Sequence, residues 1–177
     1  MSANFPWQTQ HLLKSDTTRM NKSTVLEKII TVLQSELVTY LRAAKCSHEE
    51  ATAEENRAEN KYDTRGLEAS YLAAGQANKV AELEASIDDF ENLKDTTHDN
   101  TSIGVGALIE VEQAGEKAFY FIGPSAGGTE VIEDGHEVLV ITPQSPLGCQ
   151  LQGRQQGEHL EPTLNGADQA IKIVSFC

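Results

Sequence analysis

Three carboxylates, Glu55, Glu59 and Asp63, stand four residues apart, and three cations, Arg57, Lys61 and Arg65, form a second series at the same spacing. Between Glu49 and Glu68 there are seven acidic residues against three basic ones. On a continuous helix a spacing of four stacks like charges on one face, which costs about a few tenths of a kcal/mol per pair. A sequence tuned for helix stability alone would alternate the signs. Charge by itself reads as a solvated face. The chemical alternative is that carboxylate oxygens suit Mg²⁺, which keeps several waters and accepts one or two such ligands. That use requires an element able to carry these groups to a cation held elsewhere.

Other residue types with reactive chemistry are scattered. Cys46, Cys149 and Cys177 are odd in number and widely spaced, and His11, His48, His98, His136 and His159 cluster with neither the cysteines nor each other. Zinc needs ligands at short, paired spacings, so a structural or stably bound metal is not expected, and the thiols read as reduced and unpaired. Ser145 has no His/Asp partner in a recognisable motif, which removes a nucleophile reading. We expect no catalytic residues of the chain's own.

The elements that must hold the acidic run in place are helical. Ser23 or Thr24 can cap a helix with Glu27 in its first turn. Leu26, Ile30, Leu33, Leu37 and Leu41 then recur at helical spacing, widened by Val25, Ile29 and Val38. A second stripe runs through Leu72, Gln76, Val80, Leu83, Ile87, Phe90 and Lys94. Roughly Cys46 to Leu67, between the stripes, is almost devoid of large apolar residues. Two stripes around a polar stretch predict an antiparallel coiled-coil hairpin; one unbroken helix would leave both stripes unpaired. Pairing Leu26 with Phe90 centres the turn at 58, and pairing Leu41 with Leu72 centres it at 56.5. The tip is therefore expected at about Glu54 to Asp63, with Asn56 and Asn60 as turn residues.

After the polar boundary Asp95 to Thr101 the period changes from helix to strand. Ala107–Val111, Ala118–Ile122, Glu137–Thr142 and Gln169–Phe176 read as strands, with a hairpin turn at Ala114-Gly115-Glu116 and a looser one at Gly123 to Gly128. Pro143 to Gln150 reads as a loop leading to a short helical turn. The fold class is thus α+β, an N-terminal helical hairpin followed by a small antiparallel β domain with a short helix. Residues 1–20 are expected to be a disordered tail, 21–97 the hairpin and 98–177 the β domain.

Charge narrows the partners. The 177 residues hold 14 Lys+Arg and 27 Asp+Glu, a formal net charge of −13, with no basic stripe interleaved with aromatics. Autonomous binding to a phosphate backbone is not expected; a basic protein surface or a partner's cation fits better. No apolar run approaches the ~20 residues of a membrane span, and the first residues lack the pattern of a signal peptide. A cytoplasmic, monomeric protein is the expectation.

Particular segments resemble a known family. Glu59-Asn60-Lys61-Tyr62, followed by residues 66–87, looks like the tip and descending helix of the GreA/GreB transcription factors. Val105-Gly106-Ala107, residues 142–147 (TPQSPL), residues 151–154 (LQGR) and Gly157-Glu158 follow that family's order and spacing, and the resemblance runs from about Lys22 to the C-terminus. It implies a coiled-coil hairpin and an FKBP-like domain, with Ser145, Pro146, Leu147 and Gly148 contacting the rim of the RNA polymerase secondary channel. It also implies that Glu55, Asn56, Glu59, Asn60 and Asp63 lie at a tip that assists the polymerase's active-site Mg²⁺ during cleavage of backtracked RNA. Such a factor has no cofactor of its own and meets nucleic acid only inside the polymerase complex. One departure stands out: the family's Asp-x-x-Glu-Asn tip is here Asn56-Arg57-Ala58-Glu59-Asn60, so a neutral amide replaces the first carboxylate. A channel regulator without cleavage stimulation, and a coiled-coil adaptor, are the alternatives. The FKBP-like fold alone does not imply isomerase activity.

Overall fold

The computed structural model describes residues 20–52, 65–95, 101–160 and 170–177. Helices α1 (Lys22–Thr52) and α2 (Arg65–Asn92) pack side by side as a hairpin, and a 3-10 turn (Leu93–Asp95) ends the second. Strands β1 (Leu108–Gln113), β2 (Glu116–Ile122), β3 (Glu130–Glu133) and β4 (His136–Ile141) follow. After them come a short helix α3 (Pro146–Leu151) and strands β5 (His159–Leu160) and β6 (Ile171–Phe176). The α+β architecture read from the sequence is the one observed.

Helix α1 is capped two positions earlier than the nearer of the expected caps. The Asn21 side-chain oxygen accepts from the Ser23 N–H at 3.0 Å, which places the cap at Asn21 instead of Ser23 or Thr24. Of the first stripe, Val25, Leu26, Ile29, Ile30 and Leu33 are buried, while Val38 and Leu41 are exposed. Of the second, Leu83, Ile87 and Phe90 are buried and Leu72 is exposed.

The pairing of the helices also differs from the sequence estimate. Aligning Leu26 with Phe90 sets Gln76 against Tyr40. In the structure Ser47, buried at 6% exposure, donates from Oγ to Gln76 Oε1 at 3.2 Å, seven positions further on. Seven residues is one heptad, a slide that returns every apolar position to the seam, so periodicity cannot tell the two registers apart. A polar pair inside the seam can, because a slip would bury each partner without the other.

The sheet has six strands in the order β3-β4-β2-β1-β6-β5. It is mixed: β2 and β4 pair in parallel, and the other four pairings are antiparallel as expected. The cause is β3, a stretch to which the sequence reading assigned no element. The chain leaves β2, runs out to the edge as β3 and returns through the Asp134-Gly135 turn as β4, which is inserted beside β2. The uninterrupted Val138-Leu139-Val140-Ile141 run of β4 is what a strand covered on both faces requires.

Each face of the sheet has its own core. On one, Leu108, Phe121, Val131, Val138 and Val140 pack with Val25, Ile29, Leu33, Leu83, Ile87 and Phe90 of the hairpin. On the other, Ile109, Val111, Ile122, Ile141 and Ile173 pack with Leu151 of α3 and with Leu160. The hairpin base is therefore the cover that a small sheet needs.

Candidate functional site

The hairpin is anchored at its junction with the sheet. Phe90 is fully buried, with its ring 6.1 Å from that of Phe121 and tilted against it. A Cβ on Gly123 would stand 2.6 Å from the Phe90 ring, so glycine is what lets α2 approach the end of β2. Two polar links flank this apolar contact. Lys28 Nζ lies 2.6 Å from Glu133 Oε2 and donates to the Ile132 carbonyl at 2.6 Å. Ser125 Oγ donates to Asp89 Oδ2 at 3.2 Å. None of these pairs is visible in periodicity, since the partners are separated by 36 residues or more.

Beyond this junction the hairpin loses its cover. Among the described residues of α1 after Leu33, Ser47 alone is buried. At about 1.5 Å per residue, the stretch from Leu33 to Thr52 spans roughly 28 Å. The helices there are held by each other, through half-buried Leu37, Tyr40, Ala73, Gln76 and Val80. Glu55, Asn56, Glu59, Asn60 and Asp63 lie outside the described residues.

The second set of predicted site residues forms the start of α3. Ser145 is the N-cap: its Oγ accepts from the Gly148 N–H at 3.0 Å and donates to the Thr142 carbonyl at 2.8 Å. Pro146 occupies the first helical position, where its missing N–H costs nothing and its fixed φ suits the helix. Gly148 is buried, and a Cβ there would stand 2.0 Å from the Thr142 carbonyl oxygen. Leu147 is half-buried against the second core, while Pro146 is exposed. The Ser-Pro-Leu-Gly segment thus has a complete structural explanation as a helix start, with Pro146 exposed to solvent. Ser145→Ala is expected to lower stability by about 1 kcal/mol through loss of the cap, measured by urea denaturation.

The 151–158 segment has a similar explanation. Gly153 and Gly157 adopt φ of 78° and 86°, left-handed conformations that glycine takes without steric cost. Gly153 N–H donates to Ile103 O at 2.8 Å, and Gly157 N–H to Ile173 O at 2.9 Å. Arg154 Nη1 pairs with Glu158 Oε2 at 2.9 Å, and that hydrogen bond holds the Glu158 carboxyl below its usual range. These motifs build turns that tie the segment to the chain before β1 and to β6.

Two open concavities lie next to the hairpin base. One, of about 600 Å³, sits between both helices and the 125–129 loop, and is edged by Glu36, Lys79, Glu82 and Asp89. The other, of about 560 Å³, runs between α1 and the outer edge of β3. Among the described residues no group of three or more His, Cys, Asp or Glu is placed to hold a metal ion, and no helix is long and apolar enough to cross a membrane.

No protein-family model matches the chain, and no curated protein matches it significantly. Solved structures do. The structure of GreA factor homolog 1 (Gfh1) from Thermus thermophilus matches at 21% identity, covering 84% of this chain and 94% of that one, with a TM-score of 0.35. Gfh1 from Thermus aquaticus matches at 24% identity, covering 85% and 92%, also with a TM-score of 0.35. A third structure, of the transcription factor Gfh1, matches at 22% identity, covering 85% and 92%, with a TM-score of 0.35. Over most of its length, then, this chain is similar to solved structures of a GreA factor homolog.

Proposed function

We propose that the chain is a Gre-type transcription factor that binds RNA polymerase at its secondary channel and presents the acidic hairpin tip to the active-site Mg²⁺. The observation that carries this reading is the hairpin itself. Its base is clamped to one sheet face at Phe90, Lys28 and Asp89, and its further half has no cover from the sheet. A lever built in this way holds the end of its helices away from the β domain. The sequence resemblance of the 59–62 segment and of the β-domain motifs supports the same assignment.

On this reading the chain is not an enzyme. Hydrolysis of the RNA phosphodiester belongs to the polymerase, whose two metal ions activate the water and stabilise the leaving oxygen. Glu59, with Glu55 or Asp63, supplies carboxylate oxygens that help hold the second Mg²⁺, and Asn60 completes the tip. The β domain seats at the channel rim through the Ser145–Gly148 segment, with exposed Pro146 as its foremost surface.

Asn56 favours a second reading, in which the hairpin occupies the channel without stimulating cleavage. An amide carbonyl can ligate Mg²⁺ but lacks the charge that attracts the ion and polarises its water. A transcript-cleavage assay on backtracked complexes separates the two. Cleavage stimulation predicts acceleration by wild type and a loss of about tenfold to a hundredfold in Glu59→Ala and Asp63→Ala. Tight binding without acceleration assigns the regulatory role, and absence of polymerase binding removes both.

A further inference from the structure

We infer that the groove between α1 and the outer edge of β3 is a second docking surface, taking an extended protein segment with an aliphatic side chain flanked by Lys or Arg. It rests on the proposed function, in that the segment belongs to the polymerase.

The groove has an outermost strand edge as one wall. Among the described residues β3 is an outermost strand, paired with β4 alone. Val140 N–H donates to Thr129 O, and backbone bonds alternate along an antiparallel ladder, so Val131 and Glu133 are turned toward β4. Glu130 and Ile132 present their backbone groups outward, as the Ile132 carbonyl demonstrates by accepting from Lys28. An added strand would pair with such an edge.

The groove also has an apolar anchor point. Val32 and Val131 line it, and Ile132 is 68% exposed. A large aliphatic side chain on an open strand edge is a liability for a chain that leaves it uncovered, and is ordinarily replaced or hidden. Val131 packs into the hairpin core, so Ile132 projects from the opposite face of the strand beside Glu137, where the side chains of a strand added along this edge would cover it.

Charge chooses the partner. The lining residues include the exposed carboxylates of Glu130 and Glu137, neither in an ion pair among the described residues. Lys28 is the cation of the lining, and it is already engaged by Glu133 and the Ile132 carbonyl. A second copy would bring two such carboxylate sets together on chains of formal charge −13. A basic segment meets the same rim with attraction.

The test is binding of the full chain to core RNA polymerase. Ile132→Asp and the double variant Glu130→Lys/Glu137→Lys are each expected to bind about tenfold more weakly than wild type, with Ile132→Val close to wild type. Unchanged melting temperatures show that the variants are folded, which these exposed positions permit. Wild-type binding with all variants equal to it overturns the inference and leaves the proposed function standing. No binding by wild type removes the proposed function and the inference with it. A wild-type dimer that Ile132→Asp converts to monomer assigns the groove to a second copy and overturns the inference. So does tighter binding on deletion of residues 1–19, which assigns the groove to the chain's own N-terminal segment.

Discussion

Phe90→Ala is expected to cost about 3–5 kcal/mol of stability, the range for truncating a fully buried phenylalanine. Domains of ordinary stability hold about 5–15 kcal/mol in total, so this one change removes a large part of it. The position explains the size. Phe90 meets Phe121 from the sheet and lies against Gly123, so its ring belongs to α2 and to the β domain at once. A cavity there cannot be closed by one element moving, because both are anchored elsewhere in the same core. Urea denaturation monitored by circular dichroism measures the loss. Leu41→Ala, at a position 46% exposed, is the control expected to change stability little. An equal loss in both variants would show that the helices are held by their own seam and not by the sheet. On the proposed function Phe90→Ala also weakens binding to RNA polymerase, since a hairpin released from its base no longer fixes where its far end points.

Gly148→Ala is expected to destabilise the β domain by about 3 kcal/mol, at the upper end of what over-packing costs. The added methyl carbon would be placed 2.0 Å from the Thr142 carbonyl oxygen, and 2.9 Å from Ser145 Oγ. A flexible side chain could swing away; a backbone carbonyl cannot. That carbonyl accepts from both the Ser145 N–H, at 3.0 Å, and the Ser145 hydroxyl. Pushing it aside would break the cap and the turn together and lift α3 from Leu151's seat in the second core. Thermal unfolding of Gly148→Ala beside Ser145→Ala ranks the two effects. If Gly148→Ala proved the milder, the close approach to Thr142 would not be what requires glycine here.

The Ser145–Gly148 and 151–158 motifs that follow the GreA/GreB pattern are, in this structure, a helix cap and two left-handed turns. Their presence is accounted for by folding. They speak for a shared architecture, while the proposed tip chemistry depends on different residues, one of which, Asn56, departs from the pattern.

Much of the architecture was legible from local rules. The Leu26–Leu33 and Leu83–Phe90 stripes announced two helices, and the alternation after residue 106 announced strands, because burial against one face imposes a period on neighbouring residues. The Ala114-Gly115 turn was equally plain. Four-residue β3 and two-residue β5 were too short to show any period. Once β3 was missed, the parallel pairing of β2 with β4 had no visible cause, although the unbroken apolar run of β4 hinted at a strand covered on both sides.

By itself, then, the sequence determined which segments are helix and strand, which side chains are available to a core, and how strongly acidic the molecule is. Those properties arise from residues close together in the chain. Tertiary structure alone decided the heptad at which the helices pair, the place of β4 inside the sheet, and the clamp of Phe90, Lys28 and Asp89 that aims the hairpin. Each is a choice among arrangements that satisfy the same local pattern equally well. What separates them is a contact between distant residues, and such contacts leave no period behind.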